Sequence, residues 1–154
     1  MAHPEEKLAE LGLTVPDVAK PVAAYVPAVR TGNYIYTSGQ LPMRAGELMM
    51  TGKVGGDVTP DEAAECAQQC ALNALAAVKA EIGDLGAIKR IVKVVCFVAS
   101  TSDFTGQPQV ANGASHLFGE VFGDAGVHAR SAVGVPVLPL DSPVEVEIVV
   151  RTVS

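Results

Sequence analysis

The chain has only three cysteines, no cluster of lysine and arginine, and no apolar run near the ~20 residues that a membrane span requires. Each shortage removes a class of protein. Cys66, Cys70 and Cys96 are an odd number without framework spacing, which excludes a disulfide scaffold. Cys66 and Cys70 lie four apart in a helical stretch and could begin a metal site, but no further cysteine or histidine follows nearby to complete it. They read as small buried hydrophobes. The formal net charge is −6, and a protein that grips phosphates needs a basic patch to gain from counterion release. Nucleic acid is therefore not expected as a partner, nor is a membrane. The N-terminus, Met1 to Glu10, is acidic and amphipathic where a secretion signal would be basic and then apolar, which points to the cytoplasm.

What is present suits one domain. At 154 residues roughly 68–70% of the unfolded chain's surface can be buried, and hydrophobic residues make up 49% of the chain. Residues 1–20 read as an N-terminal arm and 21–154 as a single domain. In the arm, a helical piece from Pro4 to Leu11 ends at Gly12. Val22 to Val29 reads as a strand, Thr31-Gly32-Asn33 as a turn, and Tyr34 to Ser38 as an antiparallel second strand broken at Gly39. A small hairpin around Gly46 follows. Thr59-Pro60-Asp61-Glu62 combines a Thr cap, proline at the first helical position and glutamate three residues past the cap. That helix is predicted to run to Ile82 and stop at Gly83, with Ala67, Ala71, Ala74, Leu75, Val78 and Ile82 as its apolar stripe.

Ile91 to Ala99 is apolar on both faces apart from Lys93, as in a central strand. Gln107 to Phe122 forms a second helix, Arg130 to Val135 a short strand, and Val144 to Val153 an alternating strand. The order ββ-α-β-α-ββ fits an α+β fold: a mixed sheet with two helices packed on one face.

Chemistry concentrates near the C-terminus. On a strand His128, Arg130 and Ala132 share one face, and Glu145 and Glu147 share a face of the next strand. If these two strands form a hairpin, the arginine and carboxylates meet on the sheet face away from the helices. Such a pair can be a cross-strand ion pair contributing only ~0.2–1 kcal/mol. It can also be a site in which Arg130 grips a carboxylate through two charge-assisted hydrogen bonds and an ionised glutamate activates water. The strand end at Ser38-Gly39-Gln40 offers a hydroxyl and backbone N–H groups to a ligand oxygen, or is simply a turn.

Thr37-Ser38-Gly39-Gln40-Leu41-Pro42 after the second strand, Arg130-Ser131-Ala132-Val133 before Leu138-Pro139, and the closing Val144-Glu145-Val146-Glu147 together resemble the Rid family. This family is also called YjgF/YER057c/UK114 and was formerly described as endoribonuclease L-PSP. The resemblance runs from about Val22 to the C-terminus. The N-terminal arm, Val110 to Ser115 and Gly126 to Arg130 resemble a longer RidA-like branch.

The resemblance implies a chorismate-mutase-like fold and a homotrimer with clefts between subunits. It also implies cofactor-independent hydrolysis of small 2-imino acids to 2-oxo acids and ammonia. By matching position, Arg130 binds the substrate carboxylate and Glu145 positions or activates the attacking water. Tyr25 matches a cleft tyrosine, and Ser38 with Gly39 the backbone edge of the pocket. Ala132 stands where the family often has cysteine, which removes any thiol role. Ala111 and Asn112 compete for the family's helix asparagine, and Asn112 is preferred. Two other readings compete with the deaminase: a non-catalytic trimer that binds a small metabolite, and an endoribonuclease, which the charge opposes.

Overall fold

The computed structural model describes residues 2–18 and 24–153. Helix α1 (Pro4–Glu10) begins the chain, capped by the His3 side chain, and its Leu8 is fully buried in the common core. Strands β1 (Ala28–Thr31) and β2 (Tyr34–Thr37) form a hairpin whose ladder starts at Ala28 opposite Thr37. The expected strand from Val22 is thus shorter at its start. Tyr25 and Val26 are exposed outside the ladder, Pro27 has no N–H to give it, and Val22 and Ala23 lie outside the described residues. A two-residue turn at Gly32-Asn33 closes the hairpin, with Gly32 at φ 58°. Strands β3 (Met43–Arg44) and β4 (Glu47–Leu48) make the small hairpin expected around Gly46.

Helix α2 (Pro60–Ile82) starts at the capping box read from the sequence. Glu62 N–H donates to Thr59 Oγ1, and Thr59 N–H donates to Glu62 Oε1. It ends at Gly83 in the left-handed region. Strand β5 (Ile88–Ala99), helix α3 (Gln107–Phe122) and strand β6 (Ala129–Val135) follow, and β7 (Val144–Thr152) completes the chain.

The five-stranded sheet has the order β1-β2-β7-β5-β6, antiparallel except for the parallel pair β5–β6. Helices α2 and α3 pack on one face, burying Val94, Cys96 and Val98 of β5 and Val144, Val146, Ile148 and Val150 of β7. The alanine-rich face of α2 lets the helices lie close to the sheet and to each other. Gly113 of α3 sits so near α2 that a Cβ there would meet the Ala64 carbonyl oxygen at 1.9 Å.

One expectation fails here. β6 and β7 are not a hairpin, because β5 lies between them. β5, α3 and β6 form a βαβ unit, and a crossover helix between two strands sets them parallel rather than as hairpin partners. Among the described residues no helix lies over the opposite sheet face. That face presents Val29, Tyr34, Tyr36 and Val133, each at least 41% exposed, alongside Val95, Phe97 and Val149.

Candidate functional site

The expected site residues fall into two groups at separate places on the sheet. The first group is built on β6 and α3. Arg130 pairs in register with buried Val94, so its side chain leaves the sheet on the helix side, at the edge strand. There its Nη1 donates to Asn112 Oδ1 at 2.7 Å and to Ser115 Oγ at 3.1 Å. Asn112 and Ser115 are three apart, one turn along α3, and so face the same strand. Ala111, the other candidate for the helix asparagine's place, is fully buried in the core. Among the described residues no carboxylate is within ion-pairing distance of Arg130, and Nη2 and Nε donate to nothing. A fixed guanidinium with its outer N–H groups free is equipped to take an oxyanion.

Ala132 follows Arg130 on the same side of β6, opposite Cys96 and packed on the core. Past Gly134 a cavity of about 600 Å³ opens among Ser100, Thr101, Phe104, Gln107 and Pro136. It lies at the far end of β6, roughly 13 Å from Arg130 at ~3.3 Å per residue, too far to share one small ligand with it.

The second group surrounds Glu145. β2 pairs with β7 up to Tyr36, then lifts away. The gap is bridged by the Thr37 hydroxyl, which accepts from Ile148 N–H at 3.0 Å, and the chain rejoins β7 where Gln40 and Val146 exchange backbone hydrogen bonds. Ser38 and Gly39 form the raised segment. Ser38 donates its hydroxyl to the Val26 carbonyl at 2.6 Å and its N–H to the Pro27 carbonyl at 2.8 Å. Its role is therefore to fix the loop that carries Tyr25, which is 56% exposed.

Gly39 lies directly over Glu145. A Cβ at Gly39 would stand 2.7 Å from the Glu145 carboxyl carbon, so a larger residue there would have to push that carboxylate aside. The Gly39 N–H donates to no group among the described residues. Glu145 itself pairs with Phe97, on the sheet face that the helices leave open. Burial, and then the neighbouring Glu147, raise its carboxyl above the ordinary value.

Arg130 and Glu145 therefore do not meet on one face, as the hairpin reading expected. They project from opposite faces, on strands two apart, with backbones at least roughly 10 Å apart across the sheet. Tyr25, Ser38, Gly39 and Glu145 are grouped as one candidate half-site. Arg130, Asn112 and Ala132 are grouped as another.

Glu145's raised value has a testable sign. A carboxyl that holds its proton more tightly when folded penalises the folded state once pH exceeds its unfolded value, fully so above the folded one. Glu145→Gln is expected to raise the melting temperature at pH 7, and that gain should shrink towards zero by pH 4. A pH-independent change in melting scans would contradict it.

Ser115 and His128 carry more of the first half-site than the sequence indicated. His128 Nε2 is 2.8 Å from Ser115 Oγ, and Nδ1 is 2.6 Å from the Gly126 carbonyl. The one signal for Ser115 was its spacing of three from Asn112, and nothing local showed that the Gly126 carbonyl turns back onto His128. The cysteines match the reading of buried hydrophobes. All three are fully buried, and burial pushes Cys66 up to about 11 and Cys96 up to about 12. Among the described residues no group of three His, Cys, Asp or Glu side chains could hold a metal ion, and no helix is long and apolar enough to cross a membrane.

Sheet order and helix placement define a chorismate-mutase-like α+β protein. The model of the family described as "YjgF/chorismate mutase-like, putative endoribonuclease" matches residues 5–151, so the match takes in most of the N-terminal arm as well as the domain. The chain belongs to this family, the Rid family. It is 44% identical over 145 residues to Protein TCP17 of Trypanosoma cruzi, covering 94% of this chain and 91% of that one. It is 33% identical over 140 residues to a 2-iminobutanoate/2-iminopropanoate deaminase of Dermatophagoides farinae, covering 90% and 93%. Among solved structures, a protein of unknown function from Agrobacterium tumefaciens superposes with a TM-score of 0.92 at 46% identity, covering 97% of this chain and 92% of that one.

Proposed function

We propose that this protein hydrolyses small 2-imino acids to 2-oxo acids and ammonia, at sites formed between copies of the chain in a homotrimer. The observation that carries the reading is the state of Arg130: a guanidinium oriented by Asn112 and Ser115, without a carboxylate partner among the described residues. Its free N–H groups hold the substrate carboxylate, which places the adjacent imine carbon beside the guanidinium. Water attacks that carbon, and the carbinolamine then expels ammonia as the C–N bond breaks. Glu145 is the base that orients the water, aided by the Gly39 N–H as a donor to developing negative charge. A half-buried carboxyl with a raised pKa is better matched to proton transfer near neutrality than an exposed one. The deaminase name of the Dermatophagoides relative supports the same chemistry.

The separation of the half-sites supports self-association. One small substrate cannot touch Arg130 and Glu145 of the same chain, but it can touch both if the β6 edge of one copy meets the Tyr25–Gly39 end of another. The apolar residues of the uncovered sheet face supply the surface for such an assembly. The family resemblance implies three copies.

The test is turnover of 2-iminobutyrate generated in situ, followed through loss of the trapped imine, with mass in solution measured by light scattering. A rate well above the buffer blank from a particle three times the chain mass is expected. A monomer, or a rate equal to the blank, would overturn the reading. Stabilisation by 2-oxo acids without turnover would instead favour a metabolite-binding trimer.

A further inference from the structure

We propose that Ser115 and His128 form a second catalytic pair, a serine nucleophile and its general base, acting on small esters whose acyl chain carries a carboxylate. All of its residues come from one chain, and it does not depend on imine turnover.

The hydrogen bonds assign the protons. His128 Nδ1 lies 2.6 Å from the Gly126 carbonyl, which can only accept, so Nδ1 carries the hydrogen. Burial, opposed by that same bond and aided by the nearby Arg130 charge, lowers the imidazole's pKa and favours the neutral ring. Nε2 then offers a lone pair to Ser115 Oγ at 2.8 Å, so the serine hydroxyl donates to it. Arg130 Nη1 cannot accept, so at 3.1 Å it donates to the same oxygen. The Ser115 proton is thus drawn towards histidine while a guanidinium stabilises charge on the oxygen, which is the arrangement an activated nucleophile requires.

The ring is also held in place. The 123–126 turn is packed so tightly on α3 that a Cβ at Gly126 would stand 2.1 Å from the Phe118 carbonyl oxygen. The Phe118 ring meets His128 edge-on, with centroids 6.0 Å apart. The Gly126 carbonyl takes the orienting role that a carboxylate plays in other serine–histidine pairs.

The acyl carboxylate binds the free N–H groups of Arg130. Ser115 Oγ attacks the ester carbon, its proton passes to His128 Nε2, and the carbonyl electron pair moves to oxygen beside Arg130. Collapse breaks the bond to the alcohol, which leaves with the histidine's proton. Water then attacks the acyl-serine with His128 as base, releasing the acid and restoring the serine. One ester and one water give one acid and one alcohol.

The test uses phenylmethylsulfonyl fluoride, with adducts located by peptide mass, and hydrolysis of mono-4-nitrophenyl succinate. A single adduct on Ser115 is expected in the wild type and none in Ser115→Ala, with ester hydrolysis lost in that variant. His128→Gln should slow both reactions at least ~100-fold, the usual contribution of a general base. Ser115→Cys keeps the test open should His128→Gln misfold. Its new thiol should react with iodoacetamide at pH values below the ordinary thiol range, over a silent background from the three buried native cysteines. No adduct, the same hydrolysis in Ser115→Ala, or an ordinary titration of the new thiol would overturn the pair.

Discussion

Arg130→Ala is expected to lower kcat/KM for 2-iminobutyrate by roughly 10²- to 10⁴-fold while leaving the chain folded. Two charge-assisted hydrogen bonds to a substrate carboxylate, at ~1.5–3 kcal/mol each, amount to about 3–6 kcal/mol. At ~1.4 kcal/mol per decade this gives the stated range. Arg130 sits on the edge strand and is partly exposed, and its protein partners are the neutral Asn112 and Ser115. Its removal therefore strands no buried charge. Arg130→Lys should recover only part of the rate, because an ammonium keeps the charge but not the planar fork. Steady-state kinetics beside melting scans separates the loss of the anchor from loss of fold. A rate in Arg130→Ala within a factor of three of wild type would remove this residue from the site.

The second large effect concerns stability. Gly113→Ala is expected to destabilise the protein by about 2 kcal/mol net, although alanine is the better helix former. Within a helix alanine gains ~1 kcal/mol over glycine. Here its methyl would lie 1.9 Å from the Ala64 carbonyl oxygen and 2.7 Å from its carbonyl carbon, both backbone atoms that no rotamer change can move. Overpacking costs ~1–3 kcal/mol, and a contact this short against fixed backbone belongs at the upper end, about 3 kcal/mol, which leaves about 2 kcal/mol net against the fold. At ~2–4 °C per kcal/mol for a domain of this size, the melting temperature should fall by roughly 4–8 °C. Gly119→Ala is the control. It lies in the same helix with nothing within 4 Å of the added carbon, so it should be neutral or stabilising. Equal shifts in the two variants would show that the α2–α3 contact does not decide the outcome.

Local signals carried most of the fold. The capping box at Thr59, the stop at Gly83 and the pattern from Gln107 to Phe122 bound their helices where the structure has them. Alternation in β7 identified its buried face. These features rest on contacts within a few residues of each other, which is where a sequence is most explicit. The pairing of strands is not local. Val144–Thr152 alternates in the same way whether its neighbour is β6 or β5, so alternation could not exclude the false hairpin. The clue was the helix between β5 and β6, which calls for a parallel pair. The candidate site residues were named from the sequence, but not their arrangement. Arg130 and Glu145 were named from the motifs, but their projection from opposite faces depends on which strand lies between them. Ser115 and His128 were overlooked as a pair because their link runs through space across α3 and the 123–126 turn.

If Arg130 is the anchor and Glu145 the base, as proposed, their placement on opposite faces of one sheet ties catalysis to abundance. A folded chain on its own carries both halves of the proposed imine-hydrolysing apparatus, but too far apart to act on one substrate, however stable it is. Activity per chain then rises with the number of chains present and fades on dilution below the association threshold, with no unfolding. On the proposed function such a protein would meter its own expression: scarce copies would stay intact but idle, and crowding them together would switch them on without any added effector.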